Sequence, residues 1–229
     1  MTSQLSGTIL KRADVFANLH VKLGANLAVA LADEQALLAT EAQARLLPEI
    51  GATLRKCSLT ATQTEVSGLL DEVFSDLTCS LYLSACALDV PARMLLRRSL
   101  EIGVATLYLW DHPQTFWAWR EHDEDLSFND MLECVGSLKY RTFVHKENPF
   151  YDQTEIICST QCNRLYRRLS NVMHGKMSSF ESLDPDRFTH TVADWTCGLA
   201  DVQAVASIVI IAWSKRSSMI SDLIKGASK

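Results

Sequence analysis

The chain has 229 residues, 48% of them hydrophobic and 21% charged, which is typical of a globular protein and excludes a fibrous or low-complexity chain. Its formal net charge of -5 argues against a broad duplex-binding face, although arginines concentrate at Arg93, Arg97, Arg98, Arg164, Arg167 and Arg168. Seven cysteines without framework spacing, and an N-terminus without a signal-peptide pattern, favour reduced thiols and a cytoplasmic location.

Helical periodicity dominates the chain, and no segment alternates as a strand would. We predict helices over about residues 8–47, 62–88, 91–110, 116–119, 128–138, 153–173 and 194–214. Pro48 is expected to end the first helical region, and Thr62 with Glu65 to form a capping box at the start of the second. The Asp111–Pro113 break is expected to end the third helix, and Gly175 to cap the helix that precedes it.

These elements predict an all-α fold, an antiparallel bundle of four to five long helices with short accessory helices. We predict one domain over residues 1–229, with an N-terminal helical region at 1–60, the bundle at 64–214 and a looser C-terminal tail at 215–229. Residues 139–152 are expected to form a loop because of Asn148-Pro149. The most apolar stretch, Ala204 to Trp213, is about half the length that crosses a bilayer, so no membrane partner is expected.

The segment with the most chemical content is residues 163–175, which divides into two faces when placed on a helix. Arg167, Asn171 and His174 follow one another at intervals of four and three residues, so their side chains share one stripe. Arg168 flanks this stripe, and Ser170 is expected on the same polar side. The opposite side carries apolar residues and Cys158 and Cys162, which are expected to be core thiols and not zinc ligands.

The polar stripe has the residue types that RNA cleavage by 2′-hydroxyl attack requires. Histidine can hold or release a proton near neutral pH, so His174 is the candidate acid or base. Arginine donates to phosphate oxygens, so Arg167 or Arg168 would stabilise the phosphate, and Asn171 would orient these groups. The alternative is an ordinary surface helix, whose outer face carries the same residue types.

Two segments resemble the HEPN superfamily. Arg168 and His174, with five residues between them, match its Arg-x(4–6)-His signature, and Arg167 with six intervening residues matches it too. Residues 166–175 resemble the Tyr-x-x-Leu-Ser-x-x-Val-His-Gly motif of bacterial HEPN-like families, with methionine in the valine position. Leu96-Arg97-x-x-x-Glu101 resembles a leucine-arginine-x-x-x-glutamate helix of the same families. The resemblance covers about residues 92–178.

The resemblance implies a helical bundle that is often dimeric and frequently a ribonuclease of toxin–antitoxin or anti-phage systems. Its substrate would be RNA, its partners a second copy and an antitoxin or defence-system protein, and its chemistry would need no metal or cofactor. Many active members carry a polar residue after the arginine; that position is Leu169 if Arg168 is the match, and Arg168 if Arg167 is. Two alternatives remain: a catalytically inactive module that binds nucleotide, RNA or a protein partner, and a purely structural helical dimer.

Four residues are expected to support this site: Arg98, Glu101, Tyr166 and Ser170. Arg98 and Glu101 are predicted on an otherwise apolar side of their helix, where charges are costly unless paired. A salt bridge joining two helices is therefore favoured over a direct role, and it would also be compatible with orienting His174 or Arg167. Tyr166 could hydrogen-bond within the same network.

Overall fold

The computed structural model describes residues 12–57, 60–173 and 188–227, and all regular structure within these ranges is helical. The helices are α1 (Arg12–Leu31), α2 (Glu34–Arg55), α3 (Ala61–Ala85), α4 (Asp89–Asp111), α5 (Pro113–Glu121), α6 (Phe128–Gly136), α7 (Leu138–Glu147), α8 (Ser159–Met173), α9 (Val192–Arg216) and α10 (Ser218–Ala227). Five of them have 20 residues or more. The predicted all-α bundle with long and accessory helices is confirmed.

α3 and α4 form the central helical pair, and a capping box fixes where α3 begins. The Thr60 hydroxyl accepts a hydrogen bond from the Gln63 backbone N–H at 3.3 Å, and the Gln63 side chain accepts from the Thr60 N–H. This box lies two residues before the predicted pair of Thr62 and Glu65. A capping box satisfies the free N–H groups of the first turn of a helix. It forms at Thr60 because only a side chain at the N-cap position can reach those groups.

α9 is a core helix that packs against α2, α3, α4 and α10. The side chains of Val205, Ala206, Val209 and Trp213 are fully or almost fully buried. By length and composition alone, α9 could cross a membrane, although its most apolar stretch, Ala204 to Trp213, was predicted to be too short. The pair of α1 and α2, which is bent by 88°, would also be long and apolar enough if it formed one span. Half of the most apolar window of α9 is buried within the fold, as in the core helix of a helical bundle.

The predicted first helix, from about Thr8 to Leu47, is wrong in two respects. The described part of this region is interrupted at Ala32 and Asp33, where α1 ends and α2 begins. Pro48 does not end the helix but lies inside α2, which continues to Arg55. A proline inside a helix costs about 3 kcal/mol, and the burial of neighbouring apolar side chains in α2, Leu47, Ile50 and Leu54, offsets it.

The predicted loop at 139–152 is also wrong, because residues 139–147 belong to α7. The Ser137 hydroxyl caps this helix by accepting from the Tyr140 N–H at 3.0 Å, and Tyr140 and Val144 are buried on its inner face. Asn148 and Pro149 follow the last residue of α7, so they indicate where this helix ends and not a loop over the whole segment. The C-terminal tail likewise contains a helix, α10, in which Ile220 is fully buried. Tertiary packing favours both short helices more than their sequences alone indicate.

The contact between α4 and α9 is close enough that only glycine fits at position 103. A Cβ added to Gly103 would lie 2.3 Å from Cγ2 of Val209, a branched side chain that cannot swing away. Gly103→Ala is therefore expected to lower the free energy of unfolding by about 1–3 kcal/mol in chemical denaturation, in spite of alanine's better helix propensity.

Gly68 of α3 provides the matched control, because a Cβ added there meets no atom within 4 Å. Gly68→Ala should raise the free energy of unfolding by about 0.5–1 kcal/mol through helix propensity alone. In the double variant Gly103→Ala/Val209→Ala, removal of the Val209 methyl groups should recover part of the loss. Equal effects at the two glycines would contradict the close packing of α4 on α9.

Candidate functional site

α8 carries most of the candidate site and has the predicted apolar and polar faces. Cys162, Leu165 and Leu169 are buried against the core, whereas Arg164 and Arg167 are exposed. Ser170 is a correction: it is buried, 8% exposed, and its hydroxyl donates to the Tyr166 carbonyl at 2.7 Å. A serine hydroxyl can be satisfied by the carbonyl four residues earlier, so it need not face solvent.

The two candidate arginines have different environments. Arg168 forms an ion pair with Asp201 of α9, whose side chain is 5% exposed, so its guanidinium joins α8 to the core helix. Arg167 is exposed, and no ion pair or hydrogen bond connects its side chain to the described residues. Removing the partner of a buried carboxylate is costly, so Arg168 stabilises the fold. The Arg167 side chain, in contrast, is available to bind an anion from solvent.

Tyr166 of α8 connects this helix to α4 through hydrogen bonds. Its hydroxyl donates to Oε1 of Glu101 at 2.9 Å and accepts from Nη2 of Arg97 at 2.9 Å. Arg97 and Glu101 are also paired with each other, with Nη2 of Arg97 3.1 Å from Oε1 of Glu101. The leucine-arginine-x-x-x-glutamate segment of α4 and the tyrosine motif of α8 thus form one connected cluster, which we call the tyrosine cluster: Arg97, Glu101 and Tyr166.

The tyrosine cluster is held in place by an aromatic ring from α6. Phe128 stacks on Tyr166 with 4.0 Å between ring centroids and 12° between planes, and Arg97 lies 5.1 Å above the Tyr166 ring. Partial burial would lower the pKa of Arg97, but Tyr166 and Glu101 outweigh it and raise the pKa above its usual value. These contacts fix α8 relative to α4 and α6.

Arg98 has a different partner from the one that its spacing to Glu101 suggests. Its guanidinium contacts Asp76 of α3, and a second acid of that helix, Glu72, lies 3.7 Å away. The expected salt bridge between two helices is therefore present, but it joins α4 to α3. The Arg98 side chain is 50% exposed, so its position is not the apolar face that was predicted. Burial raises the pKa of Asp76 although Arg98 lowers it.

The remaining predicted residues are only partly described. Asn171 is partly buried near the end of α8. His174 and the predicted cap Gly175 lie outside the described residues. Of the two predicted core thiols, Cys162 is buried, and burial raises the pKa of its thiol to about 12, whereas Cys158 is exposed. Within the described ranges, no group of three or more histidine, cysteine or acidic side chains could hold a metal ion.

Two residues of this region were not among the predicted site residues. Arg97 belongs to the same motif as Glu101 and precedes it by four residues. This helical spacing was the signal in the sequence that Arg97, and not Arg98, would pair with Glu101. Asp201 is an isolated acid in the apolar sequence of α9, and an acid that becomes buried in such a helix usually has a charged partner. No protein-family model matches the sequence, and no curated protein or solved structure matches it either.

Proposed function

We propose that this chain is a HEPN-like, metal-independent endoribonuclease that acts as a homodimer in the cytoplasm. The observation that supports it best is the tyrosine cluster, because two sequence segments that separately resemble HEPN-like families contact each other directly. These hydrogen bonds join residues 65 and 69 positions apart in the chain, so the two segments lie side by side in the fold.

The proposal takes Arg167 as the arginine of the Arg-x(4–6)-His signature. Arg167 is exposed and has no partner among the described residues, so its guanidinium can reach a phosphate oxygen. Arg168 is held by Asp201 and would lose that ion pair if it turned toward RNA. With Arg167 as the match, Arg168 occupies the following position, where many active family members carry a polar residue.

The roles follow from the chemistry of the side chains. His174 exchanges the proton of the attacking 2′-hydroxyl or of the leaving oxygen, and Arg167 stabilises the negative charge that develops on the phosphate. Asn171 orients one of these groups. A second copy of the chain supplies a second set of residues facing the first, and an antitoxin or other defence-system protein would control the activity.

A cleavage assay with the purified chain tests this proposal. Single-stranded or transfer RNA should be cleaved in the presence of EDTA and should yield 2′,3′-cyclic phosphate ends. Arg167→Ala should lower the cleavage rate by roughly 10²–10³-fold, the usual effect of removing one group that stabilises transition-state charge. His174→Ala should abolish cleavage, and both variants should retain the helical circular dichroism of the wild-type protein.

Arg45→Ala is the matched control, since Arg45 is an exposed arginine on α2 whose nearest partner is Glu41, one turn away. It removes the same charge on a different helix and should leave cleavage unchanged. Wild-type protein that does not cleave RNA, or cleavage that survives Arg167→Ala and His174→Ala alike, would sink the nuclease proposal. Retained RNA binding without cleavage would then favour the inactive binding module.

A further inference from the structure

A second chemically suggestive group of side chains lies away from α8, in an open cleft between the end of α4 and the helices α6 and α7. The cleft has a volume of about 540 Å³. His112, at the junction of α4 and α5, and Cys134, on α6, both line it, with Nε2 of His112 4.0 Å from Sγ of Cys134. A thiol and an imidazole at this separation in an accessible cleft are the two groups that nucleophilic cysteine chemistry needs.

The fold fixes the orientation of the His112 ring. Nδ1 lies 2.7 Å from the Tyr108 carbonyl oxygen, and the ring stacks on the Tyr108 side chain with 4.2 Å between centroids. A carbonyl can only accept a hydrogen bond, so Nδ1 carries the proton, and in the neutral ring the lone pair is on Nε2. That lone pair is on the nitrogen next to Cys134. The imidazole is thus held in the tautomer that can accept a proton from the thiol.

The thiol needs such a base. Burial and the nearby Asp111 carboxylate raise the pKa of Cys134, so the free thiolate is disfavoured at neutral pH. A thiol of this kind reacts slowly unless a neighbouring group takes its proton as the new bond forms. Cys134 is only partly buried, so a small molecule in the cleft can reach its sulfur atom.

Other charged and titratable groups of the cleft restrict which molecules it favours. They come from three helices: Asp111 on α4, Asp130 and Glu133 on α6, and Lys139 and Tyr140 on α7. Asp111 is neutralised by Arg216 of α9, which leaves two acids against one lysine. The surplus of negative charge disfavours anionic ligands. Lys139 and the first turn of α7 provide positive potential that can polarise a carbonyl oxygen.

We propose that Cys134 is a nucleophile activated by His112, and that the cleft takes a small neutral or cationic α,β-unsaturated carbonyl compound. Sγ of Cys134 forms a bond to the β-carbon of this compound while the π bond between its α- and β-carbons breaks. The thiol proton passes to Nε2 of His112 and from there to the α-carbon. The addition needs no oxidant and releases no leaving group, and it is independent of the proposed nuclease site on α8.

Site-resolved labelling of the intact chain with acrylamide, a neutral member of this class, tests the proposal. Mass spectrometry of the peptides gives the rate at each cysteine, and Cys79 and Cys158 serve as internal controls because both are exposed. Cys134 should react roughly tenfold faster than either control at pH 7, since general-base catalysis exceeds the effect of exposure. In His112→Gln, labelling of Cys134 should fall to the rate of the controls or below it.

Two further measurements do not depend on how well the His112 variant folds. In the wild-type chain, the ratio of the Cys134 rate to the Cys79 rate should fall from neutral to mildly alkaline pH, because an unassisted thiol depends on its own deprotonation, whereas a thiol beside a base also reacts at lower pH. Iodoacetate, which is anionic, should label Cys134 more slowly than neutral iodoacetamide does, when each rate is divided by the rate of the same reagent at Cys79. Asp130→Asn/Glu133→Gln should remove this discrimination.

The results that would overturn the proposal are equally specific. They are a Cys134 rate no higher than that of Cys79, a rate unchanged in a folded His112→Gln protein, or a ratio of the Cys134 rate to the Cys79 rate that does not fall from neutral to mildly alkaline pH. Equal normalised rates with iodoacetate and iodoacetamide would overturn the assignment of neutral or cationic ligands.

Discussion

Asp111→Ala is expected to lower the free energy of unfolding by about 3–5 kcal/mol, because it leaves a buried guanidinium without its partner. Arg216 donates to both carboxylate oxygens of Asp111, at 3.0 and 2.7 Å, and the two side chains are 12% and 6% exposed. Tyr140 donates to the same carboxylate at 2.8 Å. The substitution therefore disconnects the ends of α4, α7 and α9 at once, and urea denaturation measures the loss.

The double variant Asp111→Ala/Arg216→Met separates the buried charge from the loss of packing. It removes the unpaired guanidinium, so it should be more stable than Asp111→Ala alone even though it carries two substitutions. The exposed pair of Arg45 and Glu41 is the control, and Glu41→Ala should change stability by about 0.5 kcal/mol or less. If Asp111→Ala and Glu41→Ala were equally mild, the bidentate contact would not be buried in solution.

Trp213→Ala is expected to destabilise the fold by about 3–5 kcal/mol, the usual cost of emptying a large aromatic site in a core. Trp213 is fully buried in α9, its Nε1 donates to the Thr106 hydroxyl at 3.0 Å, and its ring meets Trp110 edge-on at 5.1 Å between centroids. The substitution leaves a cavity where α4 packs on α9. Thermal or chemical denaturation would measure the change.

Two other variants show which part of the Trp213 contribution is packing. Trp213→Phe keeps most of the apolar contact and loses the Nε1 hydrogen bond, so it should lie between wild type and Trp213→Ala. Trp117, which is 37% exposed, supplies an alanine substitution outside the core that should be much milder. Similar losses for Trp117→Ala and Trp213→Ala would contradict the central position of α9.

The fold class could be read from the sequence because apolar periodicity is a local property. Val66, Leu70, Val73 and Leu77 of α3 follow the helical repeat and are fully buried. The predictions at Pro48 and at residues 139–147 are wrong because they too were based on local preference. Proline was taken to end a helix, and polar turn residues were taken to form a loop. In α2 and α7 the burial of neighbouring side chains outweighs that local preference.

The candidate site could be predicted only in part. The spacing on α8 correctly separated exposed Arg167 from buried Leu169, but it could not distinguish the roles of Arg167 and Arg168. That difference depends on Asp201, which lies on another helix more than thirty residues away in the chain. Two other contacts also join separate helices. They are the hydrogen bonds of Tyr166 with Arg97 and Glu101, and the contact between His112 and Cys134.

The amino-acid sequence by itself determined that this chain folds as helices, and on α8 it determined that Leu165 and Leu169 turn inward and Arg167 outward, although not that Ser170 is buried. Only the tertiary structure decided which charged and nucleophilic groups meet: Arg168 with Asp201, Arg216 with Asp111, and His112 with Cys134. The reason is physical. A helical repeat is set by hydrogen bonds and side-chain spacing within one segment, whereas an ion pair across two helices depends on how their buried faces fit together.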